Sequence, residues 1–573
     1  MPPTAGSSTP GARVVCHYAS VLARDVLLDV LRSEGVRHIF GNPGSTELPL
    51  IDALAGANDL DYVLALQEAS AVAMADGYAQ ITGRPAFLNL HTSAGLGNAI
   101  GNLTNAGVVG TPLVVTAGQQ DERHIAADPM LSGDLVGLAR PVSKWAHELR
   151  TADELAVYVR RAFHDAASPP AGPVFLALPM NLLEEEFRGP LPSRTSIERG
   201  IVPAALPELA HLLAEVPVGE LAIVVGDEVS AAGGGGVEDV VTLADALGAP
   251  VFGSPLHSTG LFVGRHPLWA GQLPLSAAQV NSTLQPFRRV LLLGGQPFMA
   301  YPYTPAEALP AGTELLHVSP DPRWLGRYYA ARLALIGDPA ATAAALVPLL
   351  ADRVDGTAVA KARAEATARR GDDEAALEAK ALARYGPTPV HPMAAVHAAL
   401  RAMPADAIVV DESISSGNGL RELLRSSDPR SFYGIRGGGI GWGLPAALGV
   451  KLAQPGRPVV ALIGDGSAMY TNQAFWTAAH DSIPVVYVIF NNASYRILKQ
   501  RTLALKGFSA EDDRYVAMDL VNPTIDYVGL ARSLGVPGEL VEKTADVGPA
   551  MKRGLASGGP YLIDARIDGS FKG

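Results

Sequence analysis

Residues 464–494, GDGSAMYTNQAFWTAAHDSIPVVYVIFNNAS, contain a carboxylate and an amide that could meet around a hard cation. Gly464 and Gly466 flank Asp465, and Asn492 stands 27 positions after it. Each follows an apolar run, VVALIG or VVYVIF, that reads as a buried strand. In open parallel sheets ligands collect beyond the carboxyl ends of the strands, so both side chains should face one crevice. Oxygen donors from adjacent strand ends suit Mg2+, which takes its remaining ligands from water and phosphate, so the pair implies a bound diphosphate. The two glycines would let the backbone turn beside that anion.

Other polar residues fall at strand ends in the same way. Ser45 lies in the turn after HIF, Glu68 follows YVLAL and His91 follows AFLNL. Asp411 to Ser416 follow AIVV, and Asn491 precedes Asn492. Any one of them reads alone as an ordinary hydrogen-bonded residue; together they ask for one ligand. The turn FGNPGSTELPL, residues 40–50, lacks both G-x-G-x-x-G spacing and a P-loop lysine, so it presents Ser45 rather than cradling a phosphate. Glu47 within it reads as a helix-start acid favoured by the helix dipole.

The elements that must position these groups alternate. VRHIF, DYVLAL, PAFLNL, TPLVVTAG and GPVFLALP read as buried parallel strands, with ASAVAMADGYAQITG and LGNAIGNLTNAG as helices between them. LAIVVGDEV, APVFGSP and RRVLLLGGQP repeat the alternation through about residue 350, and AIVVDES, PVVALIGDGS, IPVVYVIFNN and PYLIDARI do so again after about residue 390. The fold class is α/β, in three doubly wound parallel-sheet domains. A Pro-rich stretch, GPLPSRTSIERGIVPAALP, joins the first two units, and Ala- and charge-rich residues 352–389 predict a solvated, partly helical connector.

Composition narrows the function. A chain of 573 residues is too long for one core, and 48% hydrophobic residues supply several. The net charge of −12 and the absence of Lys/Arg clusters argue against nucleic acid as a partner. No apolar run approaches the ~20 residues of a membrane span, and the first twenty residues lack the apolar core of a secretory signal, so a cytoplasmic protein is expected. The single cysteine, Cys16, excludes a disulfide framework and a multi-Cys metal site.

G-D-G followed by N-N at this spacing resembles the binding motif of the thiamine-diphosphate enzymes, whose pyrimidine-binding, central and diphosphate-binding domains follow the order of the three units. Within that superfamily GNPGSTELP, LALQEASAVAMADGYAQ, LNLHTSAGLGNAIGNL, PLVVTAGQQ and GGGIGWGLPAALGV are most similar to the benzoylformate decarboxylases. The resemblance implies a pyrimidine-binding domain at 17–188, a central domain at 205–350, a linker at 351–389 and a diphosphate-binding domain at 390–573. It implies thiamine diphosphate and Mg2+ as cofactors. Asp465, Asn492 and the main-chain oxygen of Ser494 would hold the metal, and Ser415, Gly464, Gly466 and Ser467 would line the diphosphate. Gly438 would accompany the pyrimidine, Ile440 would bend the cofactor, and Glu68 would hydrogen-bond the pyrimidine ring. Ser45 would contact the substrate carboxylate and His91 would transfer protons.

The activity so implied is decarboxylation of a 2-oxo acid, with a benzoylformate-like aryl acid favoured, to an aldehyde and CO2. The alternative is an acetolactate-synthase-like carboligase that joins the decarboxylated acid to a second carbonyl compound. In this family the site spans two subunits, which implies at least a homodimer and typically a homotetramer. Two departures stand out. A second active-site histidine is expected within GGQPFMAYPYTPAEAL, residues 294–309, where Tyr301, Pro302 and Tyr303 stand instead. SYRILKQRTLALKG puts Arg496, Lys499 and Arg501 where the family has an apolar and aromatic wall; they face solvent, or they favour a substrate with another carboxylate or a carboligation.

Overall fold

The apolar runs fold into three six-stranded sheets, all parallel, in the computed structural model of the chain. The structure describes residues 21–230, 235–296, 298–417, 419–424 and 426–571; Cys16, residues 17–20 and residues 572–573 lie outside them. The first sheet comprises β1 (His38–Gly41), β2 (Asp61–Leu64), β3 (Ala86–Leu90), β4 (Leu113–Gln119), β5 (Ala146–Glu148) and β6 (Val174–Pro179), in the order β2-β1-β3-β4-β6-β5. The central sheet, β7 (Leu221–Val225), β8 (Val251–Gly253), β9 (Trp269–Gln272), β10 (Arg289–Leu293), β11 (Glu314–Ser319) and β12 (Leu333–Ile336), runs β9-β8-β7-β10-β11-β12. In the third sheet β13 (Ile408–Glu412), β14 (Phe432–Gly434), β15 (Val459–Gly464), β16 (Val485–Asn491), β17 (Gly538–Val541) and β18 (Tyr561–Arg566) run β14-β13-β15-β16-β18-β17. The first and third sheets therefore share one topology without a sequence repeat. The central one has the other doubly wound order.

Six of these strands were not expected: β5, β9, β11, β12, β14 and β17. Five are sheet edges of only three or four residues each, and all but the buried β14 are partly exposed. The expected partly helical connector is one helix over most of its length, Gly356–Leu382, capped by the Asp355 carboxylate, which accepts from the N–H groups of Thr357 and Ala358. Only Ala366 and Ala381 of that helix are buried. No helix among the described residues is long and apolar enough to cross a membrane.

Four helices matter to the site: α1 (Glu68–Thr82), α2 (Thr92–Val109), α3 (Gly443–Ala453) and α4 (Arg496–Ala504). Helix α1 of the first unit packs on α3 of the third, and both are rich in Ala and Gly so that their backbones can close up. A Cβ on Gly449 would fall 1.8 Å from the carbonyl oxygen of Met74, and one on Gly77 2.4 Å from that of Ala446. The Trp442 indole N–H, just before α3, donates to the buried Asp76 carboxylate of α1 at 2.7 Å.

Overpacking a filled interface costs about 1–3 kcal/mol. Gly449→Val should therefore lower the thermal midpoint by several degrees in a circular-dichroism melt. Gly456→Ala, which enters open space, should leave it within a degree or so.

Candidate active site

In the first and third sheets the chain reverses its direction of travel across the sheet between the first strand and the third. The crevices this opens lie beyond β1 and β3, and beyond β13 and β15. Ser45 and His91 border the first crevice; Ser415 and Asp465 border the second.

Beyond β1 the chain makes a short 3-10 turn, Ser45–Glu47. Glu47 is in the first turn as expected, closing a capping box with Gly44 N, but it does more than start a helix: it is 1% exposed and accepts four hydrogen bonds. Oε2 accepts from Gly44 N and from His91 Nδ1, each at 2.8 Å, and Oε1 accepts from Thr46 Oγ1 at 2.7 Å and Gly118 N at 2.8 Å. A carboxylate facing Nδ1 places the ring proton there and leaves Nε2 as the free nitrogen of His91. Close approach requires glycine at two points: a Cβ on Gly44 would fall 2.2 Å from the His91 ring, and one on Gly118 2.1 Å from Glu47 Oε1. Those glycines, in GNPG and TAGQQ, were the available signal for the dyad. Ser45 is exposed on the lip of the turn, with no hydrogen bond to another described residue.

Glu68 is the first residue of α1, after Gln67 caps the helix by accepting from Ser70 N. It is buried, and Oε2 accepts from Asn98 Nδ2 of α2 at 3.0 Å. Gly95 leaves room for Oε1, which would lie 2.7 Å from a Cβ there. Asn98 and Gly95, both in the stretch TSAGLGNA, were not singled out from sequence.

Across the second crevice Asp465 is 3% exposed; Oδ1 accepts from Gly466 N at 2.9 Å, while Oδ2 is buried with no partner. Burial raises this carboxyl to about 6 against the pull of backbone N–H groups from Gly466 and from residues 492–494. The Asn492 amide oxygen accepts from Ser494 N at 3.0 Å, and its Nδ2 donates to Ser416 Oγ at 3.3 Å. The hydroxyl-bearing Ser415 and Ser467 are buried beside the same strand ends. An orphaned carboxylate oxygen, an amide oxygen and two serine hydroxyls fit a divalent cation with a diphosphate. The two glycines differ in what their backbones require. Gly464 has ordinary extended geometry, and Gly466 is needed because a Cβ would fall 2.5 Å from the Tyr495 ring.

Gly438, like Gly441 at φ +98°, has a left-handed backbone, at φ +81°. It and the half-buried Ile440 lie in the irregular segment between β14 and α3, which polar groups from three units hold. Asn105 of α2 donates to Gly439 O at 2.7 Å and accepts from Gly439 N at 3.0 Å. Asp227, after β7, pairs with Arg436, both being almost wholly buried. Glu412, at the end of β13, accepts from Gly441 N at 2.6 Å and from Gly443 N. Burial raises the Glu412 carboxyl to about 7, against those two N–H groups.

No hydrogen bond or ion pair among the described residues joins Ser45, Glu68 or His91 to Asp465, Asn492 or Ser494. A cavity of about 310 Å3 lies elsewhere, among Phe262, Trp269, Arg370, Arg421 and Phe432. The expected second histidine has no substitute in its segment: Tyr301 and Tyr303 are exposed there, and the buried His257 of the same unit is held at Nδ1 by Thr259 O.

Three parallel α/β units with a buried acid on one crevice and an oxygen cage on another define an enzyme that handles a diphosphate cofactor. The chain belongs to the thiamine pyrophosphate enzyme family: its N-terminal TPP binding domain matches residues 22–138, its central domain 210–346 and its C-terminal TPP binding domain 416–565. Benzoylformate decarboxylase of Pseudomonas aeruginosa is 35% identical over 94% of this chain and 97% of that protein. A Mycobacterium tuberculosis protein described as an acetolactate synthase large subunit is 30% identical over 94% and 98%. Among solved structures, the thiamine diphosphate-dependent 4-hydroxybenzoylformate decarboxylase of Rhodococcus jostii superposes with a TM-score of 0.83 at 32% identity, covering 96% of this chain and all of that one. The chain is thus a thiamine diphosphate-dependent enzyme similar to benzoylformate decarboxylases.

Two outcomes test this geometry. Glu47→Gln keeps the shape but turns an amide N–H2 toward donors, so kcat should fall about tenfold or more in steady-state assays. Glu412, raised from 4.5 to about 7, favours the folded state most below pH 4.5, and that contribution is lost as pH rises through 7. Wild type should therefore lose thermal stability relative to Glu412→Gln between pH 5 and 7.5, as read by melts across that range.

Proposed function

We propose that the chain catalyses the non-oxidative decarboxylation of a 2-oxo acid, with an aryl acid of the benzoylformate type favoured, taking up one proton and releasing an aldehyde and CO2. The observation that carries this reading is the buried Glu47–His91 pair opening on the same crevice as Ser45. It orients a histidine for proton transfer at a substrate, beyond what cofactor binding needs. Likeness to benzoylformate decarboxylases over nearly the whole chain supports the reading.

Bound thiamine diphosphate supplies the nucleophilic carbon and the electron sink for loss of CO2. The chain supplies the rest. Asp465 Oδ2, the Asn492 amide oxygen and the Ser494 main-chain oxygen hold Mg2+, while Ser415, Gly464, Gly466 and Ser467 line the diphosphate. Gly438 and Ile440 shape the seat of the rings, and Glu68 holds a proton at the pyrimidine, where exclusion of water keeps that bond strong. Ser45 Oγ donates to the substrate carboxylate, and His91 Nε2 takes up a proton from solvent and delivers it in place of CO2. With residues 17–188 as the pyrimidine side and 390–573 as the diphosphate side, Glu68 of one protomer serves the Asp465 set of its partner. A homodimer is then the least active unit, and a homotetramer is the expected assembly.

A carboligase is the second reading, favoured by the missing second histidine and by the likeness to an acetolactate synthase subunit. CO2 and aldehyde measured from a panel of 2-oxo acids, with and without an acceptor aldehyde, separate the two. Aldehyde should dominate, and acyloin as the main product would overturn decarboxylation. Glu68→Gln should lower kcat about 100-fold or more in the same assay, as loss of a positioned proton donor does.

A further inference from the structure

Three cations of α4 stand where an apolar wall was expected, and the structure separates them. Arg496 Nε donates to Ser570 O at 2.9 Å. Lys499 pairs with Asp519 and lies 5.5 Å from the Phe571 ring. Both hold the segment that follows the metal-side residues against the chain's own end. Arg501 differs: its guanidinium carbon sits 5.0 Å over the Tyr301 ring, and among the described residues it has no carboxylate partner and donates no hydrogen bond.

That contact joins the two departures into one feature, because Tyr301 occupies the central-unit segment that lacks the histidine. A cation–π contact offsets the charge through the face of the ring and consumes none of the five N–H donors. The guanidinium fork is therefore fixed in place and still free. Its surroundings on the helix are apolar: Leu498 and Leu505, three residues before and four after, share its face and are exposed, as is Tyr301. Arg501 is seven residues past Ser494, about 10 Å along a helix axis. That separation suits the far end of a substrate whose 2-oxo acid end lies near the cofactor.

We propose that Arg501, seated on Tyr301, is a specificity-determining residue that binds a second carboxylate, and that the preferred substrate is a 2-oxo acid carrying that carboxylate at the distal end of its side chain. A free fork matches a carboxylate in bidentate geometry, and an apolar rim strengthens the pair by excluding water. An unsubstituted aryl group would instead leave the guanidinium unpaired when the substrate covers it. This inference rests on the reading of the site as a 2-oxo acid decarboxylase.

The test uses holoenzyme loaded with thiamine diphosphate and Mg2+, with benzoylformate and its para-carboxy analogue as probes. Wild type should favour the carboxylated acid by about tenfold or more in kcat/KM, mainly through KM. Arg501→Leu should invert that ratio, Arg501→Lys should hold part of it, and Tyr301→Phe, which keeps the ring, should retain it. A wild-type preference for benzoylformate, or an Arg501→Leu variant that slows both acids equally, would overturn the proposal and leave Arg501 as a strut between units. No CO2 from either acid would overturn the decarboxylase reading as well; turnover of benzoylformate tells the two failures apart.

Discussion

Eight residues without regular secondary structure, Ile435 to Trp442, carry Gly438 and Ile440, and every unit of the chain puts a polar group on them. A backbone stretch that leaves the sheet must find partners for its N–H and C=O groups. Here they come from Asn105 in the first unit, from Glu412 and Thr471 in the third, and through Arg436 from Asp227 in the central one. The segment begins where β14 ends, and β14 is itself tied to the central unit by Gly434 N donating to Ser258 O. Its shape is thus a property of the assembled chain, which is how a loop can present groups with the precision of a rigid element.

The same assembly explains why the helices joining the units are so poor in large side chains. With Gly77 and Gly449 facing carbonyl oxygens, α1 and α3 touch backbone to backbone, and this contact brings α2 close enough for Asn105 to reach Gly439. Widening it by one methyl group would draw Asn105 away from the loop. Small residues there position the site as directly as the polar ones do.

Legibility from sequence followed the length of the apolar runs. Strands buried on both faces, such as VVYVIFN, announced themselves, and with them the residues just beyond: Asp465, Asn492 and His91. Of the edge strands only β2, which precedes Glu68, was legible; the other five, of three or four residues, are too short to show a period. Glu47 was read only in part because its partners, His91 and Gly118, lie 44 and 71 positions away, and only folding shows that they converge. Asn105 and Asp227 were invisible for the same reason, at separations of 334 and 209 from the residues they hold. Glycine was legible as a marker, and the structure adds a cause that the sequence does not show: a Cβ on Gly466 would meet the Tyr495 ring.

Four of the buried carboxylates around these crevices, Glu47, Asp227, Glu412 and Asp465, differ in how they are satisfied. Glu47 has four donors. Asp227 has an arginine, two backbone N–H groups and a hydroxyl. Glu412 has two N–H groups and a carboxyl raised to about 7, so that near neutral pH it keeps a proton part of the time. Each arrangement offsets the several kcal/mol that burying a bare charge costs. Asp465 has no such complete set: one oxygen is satisfied by Gly466, and the other is buried and makes no hydrogen bond, although the backbone N–H groups of residues 492–494 pull on the carboxyl. The neighbouring Asn492 oxygen accepts from Ser494 N and Oγ, and that side chain gives this oxygen no donor. Of the four, Asp465 alone keeps a buried oxygen with no hydrogen-bond partner.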